Sequence, residues 1–216
     1  FGDDVLSESW AIALHLEETV PEGPSLFGGE KGKAHALFLN NWAAFSLHPL
    51  VIRIILLDIY NRLQDKDREY FRTSREKRFN MSMEDFAAGG EAAKGQLKSV
   101  LTPMTKTLET QQWLGGRVPS YADYIVFGAF QWVRTTSSFG LASHGGEPVQ
   151  AWLEATLDLF DGLGRAERAA AQPRLGVRSV QVRAAALARD ARQRHQPPEP
   201  RRRHRPGEGD DVRGDQ

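Results

Sequence analysis

The 216-residue sequence predicts a mainly α protein: a bundle of amphipathic helices around one nearly all-apolar helix, followed by a disordered Arg-rich tail. Three observations predict it. Ser120 stands three residues ahead of Asp123, the spacing of a capping box, and the run Ile125-Val126-Phe127-Gly128-Ala129-Phe130-Gln131-Trp132-Val133 follows directly. A helix apolar almost all round belongs in the middle of a bundle. Several other stretches repeat apolar residues at helical spacing, and after Asp161 the aromatic residues stop altogether.

Taken in order, Phe1 to Val5 reads as the end of a strand and a turn, with Gly2-Asp3-Asp4 as the turn signal. Leu6 to Thr19 is helical in pattern through Ala11, Ile12, His15, Leu16 and Thr19, with Ser7 or Ser9 as its cap. Pro21, Gly23 and Pro24 break it, and Leu26-Phe27 sits in the linker that follows. Gly32 to about Leu63 reads as one long helix with a kink near His48, because Pro49 has no N–H to donate. Asp65 to about Phe86 is strongly charged and reads as a solvated helix with spaced ion pairs. Gly89-Gly90 marks a break. Leu97, Val100, Leu101, Met104 and Leu108 form the next amphipathic face, with Pro103 inside it and expected to bend it, and Trp113-Leu114-Gly115-Gly116 makes a sharp turn. In the central helix Gly128 and Ala129 are expected to admit a close neighbour. Ser137 to Gly146 is loop, and Val149, Trp152, Leu153, Thr156, Leu157 and Phe160 line a last one-sided helix.

The charge is zero overall but unevenly placed. Up to Leu163 there are 15 Lys plus Arg against 21 Asp plus Glu; from Gly164 there are 13 Arg, no Lys and 7 acids. The sparse aliphatic residues after Asp161 cannot build a core, so that segment is expected to be disordered, with a transient helix at Gln181 to Arg194. The abrupt compositional change there also fits a reading-frame error. Without cysteine the chain has neither a disulfide framework nor a cysteine nucleophile. No apolar run is expected to reach the roughly 18 residues that span a bilayer, and no secretory leader is evident. The six histidines, His15, His35, His48, His144, His195 and His204, show no metal-ligand spacing. The chain starts at Phe1 without Met and is expected to be part of a longer protein.

Several of these stretches resemble the glutathione transferases. Leu6-Ser7-Glu8-Ser9-Trp10-Ala11-Ile12-Ala13-Leu14-His15-Leu16 is similar to the acidic-Ser motif and helix of that family. Trp113-Leu114-Gly115-Gly116 and Pro119-Ser120-Tyr121-Ala122-Asp123 resemble the turn and capping box of its all-helical C-terminal domain. Tyr70-Phe71-Arg72-Thr73-Ser74-Arg75-Glu76-Lys77-Arg78-Phe79 looks closer to the fungal members related to bacterial lignin β-etherases. The resemblance spans roughly Val5 to Leu163. It implies a remnant of a thioredoxin-like α/β domain at 1–22, the helical C-terminal domain at 23–163 and the Arg-rich tail at 164–216. It also implies that the catalytic Ser, Tyr or Cys lies upstream of Phe1, so that this chain is N-terminally truncated and inactive as it stands.

On this resemblance, Glu8 pairs with the γ-glutamyl amine of glutathione, and Ser9 offers its N–H and hydroxyl to the γ-glutamyl carboxylate. The open N–H groups and positive dipole of a helix start suit a carboxylate independently of any family. The alternative is that Ser9 only caps its helix. Asn41, Trp42 and Phe45, with Asn40 and His48 nearby, are expected to border a pocket for a hydrophobic second substrate; core packing is the alternative for Trp42 and Phe45. Ser120 and Asp123 are structural. The implied ligands are glutathione and a hydrophobic small molecule, with no metal and no membrane, in a cytoplasmic homodimer. The intact parent would conjugate glutathione to an electrophile or cleave an ether. The other readings are a non-enzymatic interaction module of the same fold and a nucleic-acid binder acting through Arg201 to Arg205.

Overall fold

The structure is a computed structural model that describes residues 5–166. The expected turn at Gly2-Asp3-Asp4, the tail with its Gln181–Arg194 helix, and His195 and His204 lie outside the described residues. Among those described, the elements are helical and no strand is present. They are α1 (Ser9–Thr19), α2 (Glu30–Trp42), a π-helical turn (Ala43–Leu47), α3 (His48–Arg62), α4 (Asp65–Phe79), α5 (Met83–Ala88), α6 (Gly90–Leu108), α7 (Tyr121–Thr136), a 3-10 turn (Leu141–Gly145) and α8 (Gly146–Ala166).

Just ahead of His48, where a kink is expected, Ala43–Leu47 forms a π turn. Pro49 cannot donate to a carbonyl one turn back, and the chain widens by one residue just ahead of it, so α2 and α3 continue as one helical rod. By length and composition this rod, Glu30–Arg62, is long and apolar enough to cross a membrane, contrary to the expectation that no apolar run reaches that length; its apolar residues are spaced along a helix and interrupted by polar ones. Its buried residues Ala36, Leu47, Val51 and Ile55 enter the main core with Leu97, Leu101, Val126, Phe130 and Trp152. A buried aliphatic or aromatic side chain of this kind contributes about 1.5–3 kcal/mol. The opposite face is bare: Phe38 is 69% exposed and Phe45 79%, with Leu37 beside them.

The charged stretch expected as one solvated helix to about Phe86 is two: α4 buries none of its residues completely, but the chain breaks after Phe79, and Met83 and Phe86 of α5 are buried. Asn80 closes α4 in the left-handed conformation, φ 54°. Arg72 reaches from α4 to Glu84 of α5 at 2.9 Å and lies over the Tyr60 ring. A small second core of Leu56, Met83 and Phe86 sits beneath, with Phe79 stacked on Phe86 at 3.8 Å. Pro103 lies within α6 without interrupting it.

α7 occupies the middle of the bundle, with Ala122, Val126, Ala129, Phe130 and Val133 buried. It is not enclosed on every side. Gly128 is exposed, and a Cβ built there would meet nothing within 4 Å, so Gly128 does not serve close packing. Helical dihedrals in α8 end before Leu159; Phe160, Asp161 and Gly162 are left-handed and turn the chain. Beyond that turn Gly164 accepts from Gln131 Nε2 of α7 at 2.7 Å, and Arg165 pairs with Glu154 and Asp158 of α8.

Candidate functional site

The N-terminal end of α1 holds the two residues expected to bind glutathione. Glu8 occupies the cap position with φ 75° and ψ 123°, a region that L-residues rarely adopt, at a cost of about 1–3 kcal/mol. Ser9 is the first helical residue and its hydroxyl does not cap the helix, contrary to the alternative reading of it and of Ser7. The first N–H bonded back is that of Ile12, to Glu8 C=O at 3.0 Å. The N–H groups of Ser9, Trp10 and Ala11 precede it and have no acceptor within α1. The positive end of the helix dipole lies there as well. Both Glu8 and Ser9 are exposed.

Trp10 anchors this end. Its ring lies 5.3 Å from Phe27 in the linker and 5.5 Å from Tyr121 at the start of α7, and Phe27 and Tyr121 are 5.4 Å apart. Burial pushes the Tyr121 phenol pKa up, and its hydroxyl has no hydrogen-bond partner among the described residues. Sequence reasoning missed this cluster. The available signal was an aromatic residue directly after Ser9 and another in the linker, but nothing local shows that the two meet.

The residues expected to form the second pocket do not share one environment. Trp42 is half-buried against the main core, whereas Asn41 and Phe45 lie on the bare face of α2 and the π turn. Core packing therefore accounts for Trp42 and not for Phe45. His48 is half-buried at the start of α3, edge-on to Trp132 at 6.5 Å, and burial lowers its pKa. Among the described residues no hydrogen bond or ring contact joins Asn41, Trp42 or Phe45 to Glu8 or Ser9. No group of three or more His, Asp or Glu that could hold a metal occurs among the described residues.

Ser120 and Asp123 form the reciprocal capping box: Ser120 Oγ accepts from Ala122 N–H at 3.2 Å, and the Asp123 carboxylate accepts from Ser120 N–H at 3.0 Å. The carboxylate does more than cap. It also accepts from Leu114 N–H at 2.7 Å, Gly115 N–H at 3.1 Å and Trp152 Nε1–H at 2.9 Å, while 0% exposed. Around it, Trp113 and Gly116 exchange two backbone bonds, and Gly116 takes φ 109°, which only glycine adopts without strain. One buried carboxylate thus joins the 113–116 turn, α7 and α8, which sets where α7 begins.

Comparison with known proteins agrees with this architecture. Residues 34–158 match the profile of the glutathione S-transferase C-terminal domain. Among solved structures, a glutathione transferase from Phanerochaete chrysosporium is similar at 28% identity and a TM-score of 0.54, over 74% of this chain and 61% of that one. One from Populus trichocarpa shares the fold at 16% identity and a TM-score of 0.53, over 74% and 68%. Another from Rhodospirillum rubrum shares it at 18% and 0.50, over 74% and 65%. The chain thus spans about three fifths of the length of the Phanerochaete protein. Its helices, its capping box and the matched residues 34–158 together make this chain a member of the glutathione S-transferase family.

Proposed function

We propose that these residues belong to a glutathione transferase of the fungal type related to bacterial lignin β-etherases, and that α1 and α2 hold its two substrates. The activity is conjugation of glutathione to a hydrophobic electrophile, or ether cleavage by the same thiol, with the thiol-activating residue supplied from outside the described residues. The observation that carries the reading is the start of α1. Glu8 is held at φ 75°, and neither its side chain nor that of Ser9 is committed to a cap. An anion and a cation presented together fit this end: N–H groups face the γ-glutamyl carboxylate, and the Glu8 carboxylate faces the γ-glutamyl ammonium.

The 28% identity to the Phanerochaete protein supports the fungal assignment. The bare apolar face of α2 and the π turn, with Leu37, Phe38, Asn41 and Phe45, suits an apolar electrophile or a further surface of a homodimer. Calorimetric titration of the protein with glutathione tests the reading. Glu8→Gln should weaken binding about tenfold or more, since a hydrogen bond to a charged group contributes about 1.5–3 kcal/mol. Ser9→Ala keeps the N–H and should lose less. Equal binding by both variants, or none by the parent, overturns the assignment. Turnover of an aryl electrophile by a protein that carries the thiol-activating residue together with these helices separates a transferase from a binding module of the same fold.

A further inference from the structure

α1 carries Glu8 and Ser9 at one end and packs on the main core through Ala13, 2% exposed, with Trp10 and Leu14 beside it. It is also tied to the linker that leads to α2. At its far end the Glu17 carboxylate accepts from the Ser25 hydroxyl on one oxygen and from Leu26 N–H, at 2.7 Å, on the other. Ser25 Oγ in turn accepts from Phe27 N–H at 3.2 Å and Gly28 N–H at 2.7 Å. Leu26 C=O accepts from Tyr121 N–H at 2.8 Å. That N–H opens α7 and has no acceptor in its own helix. The linker is seated on α2 as well: a Cβ at Gly32 would land 1.7 Å from Phe27 O. Glu17 is therefore the side chain through which α1 grips a linker that is itself locked to both α2 and α7.

We propose that Glu17 is a positioning residue for the glutathione-binding end of α1, a role that rests on the reading of Glu8 and Ser9 given above. α1 is seated on the core through Trp10, Ala13 and Leu14, and Glu17 acts on the glutathione end through the linker. Leu26, whose N–H Glu17 accepts, adjoins Phe27, and Phe27 is one of the two rings that hold Trp10, the neighbour of Ser9. Without Glu17 the linker loosens, Phe27 shifts against Trp10, and the start of the helix loses a wall of its seat. A shift of about 1 Å there is enough to break a hydrogen bond. Glutamine can reproduce part of the clamp, with Oε1 accepting from Leu26 N–H; its Nε2 cannot take the Ser25 proton, and Ser25 Oγ already accepts from two N–H groups. Alanine reproduces none of it.

The test uses the 216-residue protein, its Glu17→Ala and Glu17→Gln variants, and two readouts: calorimetric titration with glutathione, and amide hydrogen exchange along α1 and the linker. Glu17→Ala should bind glutathione about tenfold more weakly, the cost of a site populated in its competent pose only about a tenth of the time. It should also exchange faster at residues 12–16 and 26–28. Glu17→Gln, which keeps the Leu26 bond, should fall between the parent and Glu17→Ala in both, whereas an effect on stability alone would lower Tm and leave affinity unchanged at low temperature. Parent-like affinity and exchange in Glu17→Ala overturn the proposal. If the parent takes up no glutathione, the reading of Glu8 and Ser9 fails instead, and exchange alone decides the clamp: faster exchange along α1 in Glu17→Ala keeps it, and unchanged exchange overturns it.

Discussion

Replacing Asp123 by Ala should damage this fold far more than loss of a helix cap. The carboxylate is 0% exposed and takes N–H donors from Leu114 at 2.7 Å, Gly115 at 3.1 Å, Ser120 at 3.0 Å and Trp152 at 2.9 Å. Alanine leaves all four without an acceptor. A buried donor stranded in this way costs about 1–3 kcal/mol. Ser120 and Gly115 lie nearer the surface and can take up water, so the net loss should be about 4–6 kcal/mol. A domain of this size loses about 2–4 °C of Tm per kcal/mol, which places the fall at roughly 10–20 °C. Asp123→Asn keeps one acceptor oxygen but brings an NH2 group against N–H donors, and should lose more than half as much. Ser120→Ala, which removes only the cap, should lose about 1 kcal/mol. Thermal and urea unfolding of the three variants measure this directly. An Asp123→Ala protein that melts no lower than Ser120→Ala would refute the view that this carboxylate joins three parts of the bundle.

Two further outcomes follow from the central helix and the π turn. Gly128→Ala should stabilise by about 0.5–1 kcal/mol, since a Cβ there meets nothing within 4 Å and glycine in a helix interior carries an entropic penalty; a lower Tm would show that the open face of α7 is occupied. Burial holds the His48 pKa below the usual imidazole value, so the folded protein favours the neutral ring and the unfolded chain takes the proton more readily. The stability tied to the neutral ring is therefore present at pH 7.5 and lost as pH falls below about 6.5, the unfolded value. The Tm difference between pH 7.5 and pH 5 should shrink in His48→Gln, and an identical difference would remove His48 from the pH response.

The sequence determined the helical class, the order of the helices and the Ser120–Asp123 box. Each rests on contacts within a few residues: apolar spacing along one helix, or a side chain bonded to its own first turn. The same locality misled at Ser9, because a serine at a helix start reads as a cap whether or not its hydroxyl is used, and here Glu8 holds the cap position at φ 75° with no side-chain bond. It also misled at Gly128, where small size suggests a close neighbour and the structure has open space. Phe45 was undecided for a related reason, since periodicity shows that a helix has faces but not which of them another part of the molecule covers. Only the tertiary structure decided that Trp152, 29 residues on, donates to Asp123, and that Glu17 reaches Ser25 and Leu26 across the linker. Such bonds depend on chain closure rather than on local preference. A carboxylate in the sequence is the same letter whether it is solvated or is the acceptor on which three elements converge.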